Sequence, residues 1–409
     1  MSTYTSDLLR LLDERGHIHQ ITDADGLDAL ASKEIVTAYV GFDPTAPSLH
    51  VGNLASIMLL RRVQQAGHRP IVIMGGGTAK VGDPSGKDET RKMLTEETLA
   101  ANVASIRTSF EKMLRFDDSE TGAILLNNDA WLSELGYIEL LRDVGKHFTI
   151  NRMLTFDSVK LRLDREQPLT FIEFNYMVMQ AYDFMKLARD YGCKLQLGGS
   201  DQWGNIVNGI ELTRRTEGGE VFGVTAPLIT RADGQKMGKS VSGAIWLNED
   251  QLPSYDFWQY WRNVDDRDVG RFLRLFTDID LDEIARLEAL EGAQINEAKT
   301  VLANAVTTLV RGEEAARLAE QTASETFAGG GTGSDLPTLA VGDEGMRIGA
   351  VLTTLGFTAS NGEAKRKLAE GAVKLDGEAI TDPGYLVTIG DGAEAKLSLG
   401  KKKHAVIRR

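Results

Sequence analysis

A chain of 409 residues with 42% hydrophobic and 26% charged residues is long enough for two or three folded domains and too apolar for a largely disordered polymer. Its single cysteine, Cys193, excludes an internal disulfide framework, and no apolar run reaches the roughly 18 residues of a membrane span. The net charge is −13, yet residues 345–409 carry 11 Lys and Arg against 7 Asp and Glu, so basic charge gathers at the far end of an acidic chain. The first twenty residues set Asp7, Arg10, Asp13, Glu14 and Arg15 among leucines, without the apolar core of a secretory signal. The expected setting is therefore the cytoplasm, with no membrane.

In chain order, residues 35–41 form a β-branched run that predicts a strand, residues 54–65 have helical apolar spacing that stops before Gly67, and residues 71–74 predict a second strand. Strand, helix and strand imply a parallel βαβ unit. A third strand, 194–197, runs into the glycine turn Gly198-Gly199. The expected fold class is α/β, with a doubly wound Rossmann-like parallel sheet whose strand ends carry the ligand loops. Residues 247–327 predict a helical domain with Trp258, Trp261, Phe272 and Phe276 as core anchors. Four glycines within 329–335 mark a linker, since such a segment neither packs a core nor holds a helix cheaply. Beyond it, two short helices are expected between 346 and 374, then a strand and turn over 373–378, a small α+β unit. The expected divisions are 1–228, 229–328, a linker at 329–336, and 337–409.

Three segments carry chemistry. In the first, Tyr39 to Asn53, the chain leaves a strand and enters a helix, with Gly41, Asp43, Thr45, His50, Gly52 and Asn53 in order. A helix N-terminus favours phosphate, and Gly52 permits close approach; His50 and Asn53 equally suit plain capping of the helix. The second is Gly234-Gln235-Lys236-Met237-Gly238-Lys239-Ser240, a polar loop whose two lysines suit the charge that builds on a departing pyrophosphate, though a loop lysine pair by itself is more often solvated surface. In the third, about 100° per residue puts Tyr176, Gln180 and Asp183 on one helix face and Phe174, Met177, Val178, Ala181 and Met185 on the other. The following Leu195-Gln196 and Gly199-Ser200-Asp201-Gln202-Trp203 fit a buried pocket.

By order and separation, the first two segments resemble the HIGH and KMSKS signatures of class I aminoacyl-tRNA synthetases. They are written here HVGN (50–53) and KMGKS (236–240), with Asn53 and Gly238 as departures. With the third segment the resemblance narrows to tyrosyl-tRNA synthetases of bacterial type and covers nearly the whole chain from Tyr39. It implies activation of L-tyrosine by ATP and transfer to tRNA(Tyr), with Mg2+ accompanying ATP, no tightly bound cofactor, and no fixed metal ligands. It further implies that Tyr39 and Asp183 meet the substrate's phenolic hydroxyl, that Tyr176, Gln180 and Asp83 surround its ammonium group, and that Gln196 lines the same pocket. Gly41, Asp43, Gly199, Asp201 and Gln202 would line the ATP groove, while His50, Asn53, Thr45, Lys236 and Lys239 stabilise the triphosphate. Val40 stands where some relatives touch the ribose. Gly82-Asp83-Pro84-Ser85-Gly86-Lys87-Asp88 has the look of a P-loop but has three residues between its glycines and Asp88 where Ser or Thr is needed. It reads instead as a substrate-side loop, with Lys87 toward the tyrosine carboxylate.

The tail resembles the S-four-like RNA-binding domain, with Lys365, Arg366 and Lys367 as RNA contacts and residues 401–409 adding phosphate-directed charge. The family is dimeric, and Phe171 with residues 142–148 is where the interface is expected. The rival readings are a tryptophanyl-type enzyme or another adenylate-forming nucleotidyltransferase of this fold, and a non-catalytic RNA-binding protein.

Overall fold

The structure, a computed structural model, describes residues 2–83, 94–232, 234, 237–240, 243–328, 336–342, 344–390, 392–400 and 403–409. At 157, 158, 239, 240 and 326–328 it describes the backbone alone. The chain forms two compact units, Met1–Met237 with Gly270–Ile284, and Gly238–Val269 with Ala285–Arg409. The expected division at 228/229 thus falls before the observed one.

The first unit is built on a sheet of β1 (Gln20–Ile21), β2 (Thr37–Phe42), β3 (Arg69–Met74), β4 (Ile124–Asn127), β5 (Cys193–Gly199) and β6 (Phe222–Ala226). The strands lie in the order β1-β6-β5-β2-β3-β4, parallel throughout except for β1, a two-residue edge antiparallel to β6. Ile71, Val72, Ile73 and Met74 are all buried, so neither face of β3 meets water, as an apolar run without alternation requires. Helices α1 (Val51–Gln65), α2 (Glu96–Met113), α3 (Phe171–Tyr191) and α4 (Trp203–Glu217) separate the parallel strands. A capping box starts α3: Glu173 N–H donates to Thr170 Oγ1 and Thr170 N–H to Glu173 Oε2. The helix stops at Gly192, in the left-handed region at φ 61°. Its expected apolar face, Met177, Val178, Ala181 and Met185, packs with Met153 and Leu212.

The topology places the site. From β2 the chain proceeds to β3 on one side, whereas β5, later in sequence, lies on the other. Loops leaving the carboxyl ends of β2 and β5 part in opposite directions and open a crevice, where open α/β sheets bind ligands.

In the second unit, Lys239–Ser240 pairs with Gly243–Ala244, and helices α5 (Ser254–Arg262), α6 (Ile295–Arg311) and α7 (Glu313–Ala328) follow. Trp258 Nε1 donates to Asn304 Oδ1 at 2.6 Å, and the Arg311 guanidinium lies 4.8 Å from the Phe257 ring centre. The linker 329–335 lies outside the described residues. The tail comprises β7 (Thr338–Ala340), α8 (Ile348–Thr354), α9 (Asn361–Ala369), β8 (Val373–Leu375), β9 (Glu378–Ala379), β10 (Glu394–Leu399) and β11 (Lys403–Arg408). Its sheet runs β9-β8-β10-β11-β7, and Asp376 and Gly377, both at positive φ, make the tight β8–β9 turn. The basic close of the chain is therefore a strand. Lys403 Nζ donates to the carbonyls of Gly356 and Phe357 and is committed within the domain; residues 401 and 402 lie outside the described residues.

Phe272 and Phe276, expected to anchor the helical domain, are buried but belong to the returning segment Gly270–Ile284 of the first unit. The reason is a clamp of two arginines. Arg15 donates to the carbonyls of Thr277 and Ile279, both at 2.8 Å, and the buried Arg62 donates to Thr277 O and to Asp278 Oδ1, both at 2.6 Å. Those partners compensate two cations that burial alone would penalise. His17 beside them is fully buried with neither ring nitrogen hydrogen-bonded, and burial with the charges of Arg62 and Arg15 pushes its pKa down to about 3. Between the ordinary 6.5 and about 3 the unfolded chain binds a proton that the folded chain refuses, so this stability is complete above 6.5 and drains as pH falls. Urea unfolding at pH 7.0 and 5.0 checks this. Replacing His17→Phe should remove about 2 kcal/mol of the wild-type loss between those pH values.

Candidate active site

At the crevice, the strand ends and the glycine turn after β3 bring six acidic or amide side chains into two hydrogen-bonded groups. Asp183, on α3, is buried, and both of its oxygens accept hydrogen bonds: Oδ2 from Asn128 Nδ2 at 2.9 Å and Oδ1 from Trp131 Nε1 at 2.7 Å. Asn128 follows β4, and its Oδ1 accepts from Gly77 N–H at 2.8 Å while Nδ2 also reaches Thr78 Oγ1 at 3.1 Å. The Thr78 hydroxyl donates to Asp43 Oδ1 at 2.8 Å, and the Tyr176 hydroxyl donates to Asp43 Oδ2 at 3.2 Å. A second branch runs from Asn205 Nδ2 to Gln202 Oε1 at 3.1 Å and from Gln202 Nε2 to Asp83 Oδ2 at 3.0 Å.

The turn Gly75-Gly76-Gly77 is small because side-chain oxygens pass against it. A Cβ on Gly75 would lie 2.1 Å from Asp43 Oδ1, and one on Gly76 would lie 2.4 Å from Asn127 Oδ1.

Electrostatically the site gathers acidic groups around Tyr176. Burial pushes the Asp183 carboxyl up to about 7, with the charge of Asp43 adding to it and the Asn128 and Trp131 donors opposing it. Burial, then Asp43, Asp83 and Asp183, hold the Tyr176 phenol well above its ordinary value. Three carboxylates thus act on one point, an environment suited to a substrate cation. Tyr39 is also buried, its phenol raised by burial and by Asp183, and its hydroxyl has no hydrogen-bond partner. Neither has the buried Oε1 of Gln196.

Of the expected tyrosine-pocket residues, Tyr39, Tyr176, Asp183 and Gln196 are buried in this region, Asp83 joins it through Gln202, and Gln180 is half-buried on α3. Asp43, expected in the ATP groove, accepts hydrogen bonds from Tyr176 and Thr78. Gly41 is exposed with nothing within 4 Å of a would-be Cβ; Gly199 is held small by Asp201 Oδ1, 2.7 Å from its would-be Cβ, and Asp201 itself is exposed. Thr45 is exposed, its N–H donating to Asp43 O at 2.9 Å.

His50 and Asn53 form a capping box on α1. His50 Nδ1 accepts from Gly52 N–H at 3.0 Å, and Asn53 Oδ1 accepts from His50 N–H at 3.1 Å. An accepting Nδ1 puts the proton of neutral His50 on Nε2, which makes that atom a donor. A Cβ on Gly52 would meet the His50 ring at 2.8 Å and Met237 O at 3.0 Å, so this glycine answers to the cap itself. Lys236 and Lys87 lie outside the described residues, and Lys239 enters only through its backbone in Lys239–Ser240. In the tail, Lys365 and Arg366 are exposed on α9 and Lys367 pairs with Glu370 at 2.8 Å. Among the described residues no group of three or more His, Cys, Asp or Glu is placed to hold a metal ion, and no helix is long and apolar enough to cross a membrane.

Residues 31–328 match the model of the class I tRNA synthetases for W and Y. The chain belongs to this family. Residues 346–392 match the S4 domain. Two relatives called tyrosine–tRNA ligase, from Novosphingobium aromaticivorans and Zymomonas mobilis, are 65% and 58% identical, each over 100% of both chains. The crystal structure of a C-terminally truncated mitochondrial tyrosyl-tRNA synthetase from Aspergillus nidulans is similar with a TM-score of 0.72 and 30% identity, covering 79% of this chain and 95% of that one.

Within this class I synthetase the residues unforeseen from sequence are Gly75–Gly77, Thr78, Asn128 and Trp131. The triple glycine after a predicted strand was the one local signal; Asn128 and Trp131 belong to an ordinary loop until the sheet sets them against α3. Their donors favour the ionised Asp183. Trp131→Phe keeps a ring and deletes the donor, so the Asp183 carboxyl, followed by 13C NMR and assigned by its loss in Asp183→Asn, should titrate near 7 in the parent and at higher pH in the variant.

Proposed function

We propose that this class I synthetase is a tyrosine–tRNA ligase that activates L-tyrosine with ATP and passes it to the 3′ end of tRNA(Tyr). The observation that carries tyrosine over tryptophan is the buried Tyr39 hydroxyl without a partner beside the Asn128- and Trp131-held carboxylate of Asp183. A substrate phenol donates to Asp183 and accepts from Tyr39, supplying both missing halves. An indole ring offers one donor and no acceptor there. Phenylalanine would leave the Tyr39 hydroxyl buried and unmatched, a cost of about 1–3 kcal/mol.

The substrate ammonium lies by Tyr176, Gln180 and Asp83, where three carboxylates already act, and Gln196 closes the pocket. ATP occupies the groove of Gly41, Asp43, Gly199, Asp201 and Gln202, with magnesium on its phosphates. The tyrosine carboxylate attacks the α-phosphorus, and the bond to the β-phosphate oxygen breaks as pyrophosphate leaves. His50 Nε2, Asn53, Thr45, Lys236 and Lys239 meet the charge that grows on that leaving group. The terminal ribose hydroxyl of tRNA then attacks the adenylate carbonyl and releases AMP. Positioning and charge neutralisation carry both steps, and no side-chain nucleophile takes part.

Residues 337–409, with Lys365, Arg366 and Lys367, form the RNA-binding end, residues 1–228 the catalytic region, and 229–328 the lysine loop with the helical domain. The working form is a homodimer. Tyr137, Ile138, Leu141, Ile150 and Phe171 are large apolar side chains left exposed, Phe171 by 71%, and a second copy of this face covers them. A cytoplasmic setting suits a chain whose one thiol is buried.

Amino-acid-dependent exchange of labelled pyrophosphate into ATP, run with all twenty amino acids, tests the reading. Tyrosine alone should support exchange, and Tyr39→Phe should erode the preference over phenylalanine. Exchange with tryptophan, or with none, would overturn it.

A further inference from the structure

Helix α4 and residues 147–153 enclose a cavity of about 150 Å³ in the first unit, and none of its lining residues belongs to the candidate active site. Its lining includes the apolar Phe148, Met153 and Leu212. It also includes the polar Asn208, Arg152, Arg215 and Glu211. Asn208 is only 5% exposed, yet its Nδ2 has no hydrogen-bond partner. A buried amide nitrogen brings two donors, and leaving them unmatched is costly.

The charge is unbalanced as well. Three guanidinium groups share the single Glu211 carboxylate: Arg214 and Arg215 at 3.2 Å each and Arg152 at 3.8 Å, all to Oε2. Arg215 also donates to His147 O at 2.9 Å. His147 is held below its ordinary value by burial, Lys146 and Arg215, so it adds no charge at neutral pH. The lining thus combines hydrogen-bond donors and net positive charge with hydrocarbon. A cavity of about 150 Å³ is also the size that admits a benzene ring in an engineered apolar core.

We propose that this cavity binds a small organic carboxylate, its apolar body against Phe148, Met153 and Leu212 and its oxygens accepting from Asn208 Nδ2 and facing Arg152 and Arg215. Inorganic anions would leave the apolar wall against water, and a neutral amide would leave the excess cation unanswered. The occupant bridges residues 147–153 and α4, so it stabilises the folded chain in proportion to its binding. This site goes beyond the proposed ligase activity and does not depend on it.

The test uses the full chain with excess tyrosine and ATP to keep the crevice filled, and benzoate and benzamide as probes, read by saturation-transfer NMR and by the unfolding midpoint. Benzoate should bind saturably and raise the midpoint, with benzamide at least about tenfold weaker. Arg152→Gln, at a half-exposed position, and Arg215→Gln should each weaken benzoate by about tenfold. Asn208→Leu should do the same if it folds. No saturable benzoate binding, equal binding of benzamide, or binding unchanged in Arg152→Gln and Arg215→Gln would each overturn the proposal.

Discussion

Asp183 is a carboxylate in a place from which water has been removed, kept usable because Asn128 and Trp131 each give it a hydrogen. An isolated carboxylate at that depth would neutralise itself by taking up a proton, and its pKa of about 7 shows how near that balance lies. Much of the first unit serves this one group. Strand β4 ends where it does to deliver Asn128, α3 starts at a capping box that sets the phase of Asp183, and the glycine turn after β3 clears room for the link to Asp43. A donor misplaced by an ångström would cost the site its charge before it cost the fold its stability.

That arrangement explains why the same residues serve binding and architecture. Asp43 lies at the end of β2 and takes hydrogens from both Thr78 and Tyr176, so the strand end, the turn and the helix are tied at one carboxylate. His50 and Asn53 show the same economy. Their capping box holds the start of α1, and the tautomer that capping imposes leaves Nε2–H as a donor at the positive end of the helix. Capping and phosphate recognition are two uses of one geometry.

The parallel βαβ unit followed from sequence because the runs at 35–41 and 71–74 flank a helical pattern, and helical phase alone set Tyr176 and Asp183 on one face of α3. What spacing could not reach were partners remote in the chain. Asn128 is 55 residues from Asp183 and sits in a loop with no periodicity, so only the closed sheet reveals the pair. The return of Gly270–Ile284 to the first unit was hidden for a like reason: Phe272 and Phe276 have helical spacing either way, and the choice is made by Arg15 and Arg62 grasping carbonyls more than two hundred residues away. The strand at the basic end was hidden too: charge alone gave no sign that residues 403–408 pair along β10 and bury Ala405, Val406 and Ile407.

The central claim is that the ionised Asp183 carboxylate, held by two donors, recognises a phenol. Equilibrium dialysis of tyrosine and phenylalanine against the parent chain and Asp183→Asn measures it directly. The parent should bind tyrosine far more tightly than phenylalanine, and the variant should lose most of that ratio by weakening tyrosine alone. An unchanged ratio in Asp183→Asn, or equal weakening of both amino acids, would contradict it.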